Sequence, residues 1–472
     1  MATKRDLVEA HAFSRRRLVT AFVSGAPGGR EVEPVRPGRT IVGGLALSVL
    51  LVLGAVIAGV FAPRTPEDWN KVGLVVSKDD GGLYVVTEQS DHPVLRPVIN
   101  VTSAKLILGD LATDPTPLSS SFIQSQHIAE DVGILGAPHD VPDGSRLLGT
   151  GWTACTDSGS GIRVDVSEQP DVVPTPEAAV LVRSEGAYYL LAEAAATDDD
   201  VAATAFRFRL PVTDGVRDNM LDALGLPSSA EALDVSPAWL GLFPAGGDLS
   251  WQSMGIEGAG ALAPYAGGVS GFDPASRIGD IVDLDNGSSF VLVQGGPAPL
   301  SPFARAIYAN LPPPYTPDVR TAASTTMGRQ RPPYAEAHWP EQVPEPAVGE
   351  ACVRLEASAD AAPRVRLVGQ PGPAASVAGV PEGQTAVRVD PGAGAFVVSG
   401  GWDAQAVGSP FLMDAKGRAY PLLGRAAAQL GFGDLDPVHV PDSWAELFAD
   451  GVPLSPEAAL CPPESGSGQA CQ

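Results

Sequence analysis

Two stretches of this sequence decide how the rest is read: LGLPSSAEALDVSPAWLGLF at residues 224–243 and LGFGDLDPVHVPDSWAELF at residues 430–448. In the first, Leu224, Gly225 and Leu226 lead to Val235, Trp239 and Phe243; in the second, Leu430, Gly431 and Phe432 lead to Val440, Trp444 and Phe448. The Val-to-Trp and Trp-to-Phe steps are four residues in both copies, and the Leu-to-Trp step is 15 in one and 14 in the other. Steps of four put side chains on one face of a helix, so each copy is expected to close with a short helix that packs its Trp and Phe against its own module. Pro237 and Pro441 stand where such helices would start.

Outward from these copies, strand-like apolar runs occur upstream of both and twice more, at 83–86 (LYVV), 188–191 (YYLL), 290–293 (FVLV) and 411–413 (FLM). Each is followed by a proline-containing step and an Ala/Leu-rich helical segment, at 102–108, 220–224, 304–308 and 426–430. The pattern predicts four divergent copies of a small strand-then-helix module, the second and fourth matching most closely. Residues 311–347 hold nine prolines, from Pro312 to Pro346, and read as a connector or an extended crossing strand. Alternating β-branched segments at 161–166, 353–357, 385–389 and 395–399 predict a central sheet built from residues 115–175 and 348–402.

The chain has 472 residues, 44% of them hydrophobic, with 53 Gly and 45 Pro, which excludes global disorder and favours several turn-rich modules over long helical bundles. Its net charge of −24 is unevenly spread. Residues 1–40 carry eight basic and four acidic side chains, a net of +4, leaving 23 basic and 51 acidic groups, a net of −28, on the rest. Between them lies a charge-free run of 21 residues, opened by Ile41 and closed by Phe61. As a helix it would span roughly 32 Å, enough for a bilayer core of about 30 Å. A cleavable leader fits less well, because the basic region before the run and the run itself are both too long and Pro63 follows the small-x-small site. Arg15, Arg16, Arg17, Arg36 and Arg39 set the N-terminus in the cytoplasm, placing about 410 residues beyond the membrane. Residues 4–23 read as a basic amphipathic helix, started by Thr3 with Asp6 and ended by Gly25.

The four cysteines, Cys155, Cys352, Cys461 and Cys471, all follow the apolar run and include no C-x-x-C pair, which suits disulfides in an oxidising compartment better than zinc. The short Pro/Ser/Gly loop between Cys461 and Cys471 most simply joins those two and leaves Cys155 with Cys352, although four cysteines allow three pairings and the choice stays open.

Little else points to chemistry. No G-x-x-x-x-G-K-[ST] or G-x-S-x-G occurs, and the six histidines, including His139 in a Gly/Pro turn and His439 in a loop ahead of the second Trp helix, lack metal-ligand spacing. Asp198, Asp199 and Asp200 lack the Gly and Glu of a calcium loop. A net of −28 disfavours nucleic acid. No cofactor is expected.

Several segments carry a resemblance to a known family. They are MATKRD at 1–6 with FSRRRL at 13–18, a single span after a short basic tail, HPV at 92–94 with NVTSAKLILG at 100–109, GILGAPHD at 133–140, WTACTD at 152–157 and GVPLSPEAAL at 451–460. Together they make the chain similar, nearly end to end, to the EccB-type core membrane subunits of actinobacterial type VII (ESX) secretion systems. Arg96-Pro97 and the C-terminal stretch from Cys461 to Cys471 depart from the pattern. The resemblance implies an α+β protein: a single N-terminal transmembrane helix, then an elongated extracytoplasmic domain of four strand/helix repeats around a disulfide-tied central β-rich domain. It also implies a membrane complex with an FtsK-like ATPase subunit, a many-span subunit and a mycosin protease. On this reading the partition is a tail at 1–40, a span at 41–62, repeats at 63–114, 176–250, 251–310 and 403–460, and a tail at 461–472. A non-catalytic assembly subunit is the expectation. The alternatives are a peptidoglycan-binding module, motivated by Trp239 and Trp444, and the ATP hydrolase activity attributed to some family members.

Overall fold

The computed structural model of the chain describes residues 3–24, 66, 68–194, 204–268, 273–312, 314–322, 329–369, 377, 379–402 and 408–463. The run from Ile41 to Phe61, Arg36, Arg39, the acidic run from Asp198 to Asp200 and Cys471 lie outside them. Two units separate, Met1–Arg64 and Thr65–Gln472. The described part of the first is one helix, α1 (Lys4–Ser24). Thr3 starts it by donating from its backbone N–H and its hydroxyl to Asp6 Oδ2, at 2.9 and 2.7 Å. Its apolar side chains, among them Leu7, Phe13 and Phe22, are exposed. No helix among the described residues is long and apolar enough to cross a membrane.

In the second unit the strands are short because glycines and prolines interrupt the apolar runs. β1 (Gly73–Ser77), β2 (Leu83–Val86) and β3 (Arg96–Pro97) form an antiparallel meander. The helix α2 (Val101–Leu108) then carries the chain back so that β4 (Thr116–Leu118) lies parallel to β1, giving the order β3-β2-β1-β4. A parallel neighbour needs such a crossover, since a hairpin cannot supply one. Next come β5 (Trp152–Thr156), β6 (Ile162–Val166) and β7 (Val173–Pro174), half of a central sheet.

The first arrangement then recurs. β8 (Ala178–Ser184), β9 (Ala187–Glu193), β10 (Ala205–Arg209), α3 (Asp214–Ala223) and β11 (Leu233–Asp234) give the order β10-β9-β8-β11, followed by the single-turn helix α4 (Pro237–Leu240). β12 (Ile281–Leu284), β13 (Ser289–Val293), β14 (Gly296–Leu300), α5 (Pro302–Asn310) and β15 (Val319–Ala322) give β14-β13-β12-β15. β16 (Glu345–Pro346) pairs with β8, and β17 (Ala351–Glu356), β18 (Arg364–Gly369) and β19 (Thr385–Val389) complete the central sheet in the order β19-β6-β5-β17-β18-β7. Finally β20 (Ala395–Gly400), β21 (Phe411–Met413), β22 (Arg418–Pro421), α6 (Ala426–Gln429) and β23 (Val438–Pro441) give β23-β20-β21-β22, with β24 (Ala449–Asp450) added at its edge and the single-turn helix α7 (Asp442–Ala445) after β23.

All four apolar runs singled out in the sequence occupy the second strand of their sheets, and all four helical segments fall on or at the end of the crossover helices. Three expectations need correction. The segment 395–399 is the first strand of the fourth module and pairs with β21 and β23, leaving the central sheet without it. The proline-rich stretch 311–347 contains β15, which closes the third module beside β12. Periodicity could not reveal either, because a strand of four to six residues reads alike in any sheet. His439 lies in β23 and is 8% exposed, so it is a buried strand residue and not a loop residue.

Candidate functional site

Four of the segments that carried the resemblance, 100–109, 133–140, 152–157 and 451–460, lie at the joints between modules. Asn100 caps α2, its side chain accepting from Ser103 N–H at 2.7 Å while its Nδ2 donates to the Ile134 carbonyl at 3.1 Å. Thr102 Oγ1 donates to the Pro138 carbonyl at 2.6 Å, Ile134 N–H donates to Ser103 Oγ at 2.9 Å, and Lys105 Nζ donates to Asp140 at 2.8 Å. Residues 100–109 and 133–140 are thus one hydrogen-bonded unit. The third segment joins it: Leu454, Ala458 and Ala459, the latter two in the helix α8 (Pro456–Ala459), pack with Leu106, Ile134 and Phe396 in one buried cluster. This joint fastens the first module to the fourth.

A second joint centres on the central sheet. Trp152, Trp239, Trp444, Phe243 and Phe448 are each at most 5% exposed and share one cluster with Val164, Val353 and Leu355. Trp239 Nε1 donates to the Ala154 carbonyl of β5 at 3.3 Å, and Trp444 Nε1 donates to the Leu242 carbonyl of the second module at 3.3 Å. Trp239 meets Phe243 edge-on with centroids 5.2 Å apart, and Phe448 meets Trp152 at 5.2 Å. Each Trp/Phe pair was expected to pack against its own module, but together they form the core between two modules and the central sheet. The reason is geometric: α4 and α7 are single turns, too short to bury an indole alone. Buried this way, neither Trp239 nor Trp444 offers a ring face to a polymer.

Cys155 and Cys352 lie directly opposite each other on antiparallel β5 and β17 and form a disulfide, tying residues 197 apart in sequence. Cys461 is also disulfide-bonded. Glu193, at the end of β9, accepts from Arg366 Nε and Nη2 at 3.0 and 2.9 Å and from Leu367 N–H at 3.2 Å, linking the second module to β18. A third joint packs α3 on α5 through Met220, Leu221, Leu224, Phe303, Ile307 and Tyr308. Burial pushes the Tyr308 hydroxyl pKa well above its ordinary range, and that hydroxyl donates to the Gly279 carbonyl at 2.7 Å. The sequence singled out neither Glu193 nor Arg366, and it marked Asn100 only as the first residue of the 100–109 segment, without its capping role. Only Asn100 had a local signal, an Asn ahead of an apolar-periodic run.

A cavity of about 1220 Å³ in the third module is lined by Asp283, Arg305, Arg329, Arg331 and His338 among others, none of them in the resemblance segments. Arg305 donates to both Asp283 carboxylate oxygens, which holds that carboxyl below its ordinary value. Arg15, Arg16 and Arg17 lie exposed on α1. Among the described residues no cluster of three or more His, Cys, Asp or Glu could hold a metal ion.

Comparison with known proteins places the chain among relatives. The family model "Type VII secretion system ESX-1, transport TM domain B" matches residues 1–465. The chain is 25% identical to the ESX-1 secretion system ATPase EccB1 of Mycolicibacterium smegmatis (strain MKD8), covering 89% of this chain and 87% of the relative. It is 27% identical to the ESX-3 secretion system ATPase EccB3 of Mycolicibacterium smegmatis (strain ATCC 700084 / mc(2)155), over 97% and 91% of the two. Its fold is similar to a chain of an intact ESX-5 inner membrane complex, with a TM-score of 0.60 at 22% identity over 98% of this chain and 95% of that one. It is equally similar to a chain of the EccB3 dimer from the ESX-3 core complex, at 0.60 and 23% identity over 82% and 100%.

Proposed function

Because the chain belongs to the EccB family of type VII secretion systems, we propose that it is a structural subunit of such a secretion complex, anchored in the membrane by residues 41–61 and holding a modular scaffold outside. The observation that carries this reading is the location of four of the resemblance segments. Residues 100–109, 133–140 and 451–460 build the joint between the first and fourth modules, and Trp152 and Cys155 build the central one. Residues spent on fixing modules against one another serve assembly, whereas an enzyme gathers its special residues in a cleft. The four sheets of shared strand order are, on this reading, copies of one duplicated module. Arg15, Arg16, Arg17, Arg36 and Arg39 set the N-terminus inside, and the partners are the other core membrane subunits, including an FtsK-like ATPase subunit, the many-span subunit and a mycosin.

Deleting the gene and examining the detergent-extracted complex by native electrophoresis tests the role. Loss of the assembled complex and of secretion is expected; a fully assembled, secreting complex contradicts it. Topology is read in the same strain background with S24C and S90C variants. An impermeant maleimide is expected to label S90C in intact cells and S24C only after permeabilisation.

A further inference from the structure

The central sheet has one apolar face, already described, and a second face of different chemistry. Because directly opposite residues share a face, the ladder register assigns it. Arg388, Asp165, Thr153, Arg354 and Arg366 form one row across β19, β6, β5, β17 and β18. Arg163 stands beside Cys155 and Cys352 in the next row, and Arg364 stands opposite Glu356 beyond the first. Five arginines therefore occupy one face of one sheet, in a chain with only 23 basic side chains after residue 40 and a net charge of −24.

Two of the five are neutralised, Arg163 by Asp165 at 2.7 Å and Arg366 by Glu193 at 2.9 Å. Arg354, Arg364 and Arg388 have no ion pair among the described residues. Nη1 of Arg163, which is 2% exposed, and Nε of Arg354 and Arg364 are buried without a hydrogen-bond partner there. Arg354 also lies directly across from Arg366, a like-charge pairing that weakens a ladder. Orphaned buried donors and a cross-strand charge clash both work against stability, and such violations collect where a surface has another task.

We propose that this face, centred on Arg354 and Arg364 and extended by Arg388, is a docking surface for an acidic polypeptide segment of a partner protein. The chemistry of the occupant follows from what the face already holds. Glu193 comes from a different module and is received by Arg366 through two guanidinium nitrogens, with the neighbouring Leu367 N–H completing the seat. A planar guanidinium fork matches a carboxylate in this way, and Arg354 and Arg364 continue the same row of guanidinium groups with no carboxylate in ion-pair contact among the described residues, although Glu356 stands across the ladder from Arg364. The strongly acidic remainder of the chain repels anions at large, so an acidic segment is favoured where these arginines lie together.

The test titrates the full-length protein in detergent with a fluorescent oligo-aspartate peptide. Binding that weakens with added salt is expected, with a loss of about tenfold in R354Q/R364Q, since charge-assisted pairs are the strong ones. E356Q, which removes the acid opposite Arg364, is expected to tighten binding. R388Q, at an exposed edge position, serves as the second variant should the double one fail to fold, a failure visible as a lowered urea midpoint. Unchanged affinity in R388Q and in a folded R354Q/R364Q overturns the proposal. So does tighter binding of polyphosphate or of anionic lipid vesicles than of the peptide, which would assign the face to a different class of ligand.

Discussion

Trp444 shows how a residue read as local turns out to belong to the whole. Its ring is fully buried, and its Nε1 reaches the Leu242 carbonyl of another module. Trp444→Ala is expected to lower stability by about 3–5 kcal/mol in urea unfolding, and Trp444→Phe, which loses the hydrogen bond and part of the buried ring volume, by roughly 1–3 kcal/mol. Equal, small effects of both would mean that the indole does not fill the joint. Asp283 makes a different forecast. Its carboxyl is held below the ordinary value of 3.8 by Arg305 first, with Ser289 also donating to it. A depressed folded pKa stabilises fully above that ordinary value, and the contribution disappears as pH falls through the lowered one. The thermal midpoint of the native protein should therefore fall more steeply below about pH 4 than that of Asp283→Asn. Parallel curves would refute the pair's contribution, which its partial exposure keeps modest.

Among the elements, the Leu-Gly-apolar triplet has a definite physical meaning. Gly225 and Gly431 adopt φ of +64° and +88°, each just past the cap residue, Leu224 or Leu430, that ends α3 or α6. Leu226 N–H donates back to Leu221 and Gly225 N–H to Asp222; Phe432 N–H donates to Ala427 and Gly431 N–H to Ala428. Both are Schellman caps, which require a left-handed residue. A side chain at either glycine meets nothing within 4 Å, so Gly225→Ala and Gly431→Ala should each cost about 1 kcal/mol from backbone conformation alone. Denaturant midpoints check this, and an unchanged midpoint would show that the caps tolerate an ordinary residue. The same motif explains which modules were legible. The first module has Leu108-Gly109, but the third ends α5 at Leu311 with φ −73° and no glycine, so its sequence lacks the signal while its sheet has the shared order.

At the scale of the whole molecule, the modules are fastened in a sequence unlike their order in the chain. The first joins the fourth, the fourth and second join the central sheet, and the second joins the third. The Cys155–Cys352 bond closes a separation of 197 residues across that central sheet. Loop-closure entropy for so long a separation makes its removal in C155A/C352A cost about 2–5 kcal/mol. The expected readout is a lower urea midpoint with a slope that is no smaller, because the released chain unfolds to a more expanded state; an unchanged midpoint would show that the sheet register alone fixes the joint. Short-range pattern alone revealed the charge split around the apolar run, the second strands and crossover helices of the modules, the recurring Leu-Gly-apolar triplets and the motif segments, but not the cap that each glycine forms. The tertiary structure alone decided which module a four-residue strand completes, that Trp239 and Trp444 fill a common core, and that Glu193 seats on Arg366. Those pairings join residues far apart in sequence, where no local periodicity operates and only the closing of sheets and the burial of large side chains selects the partner.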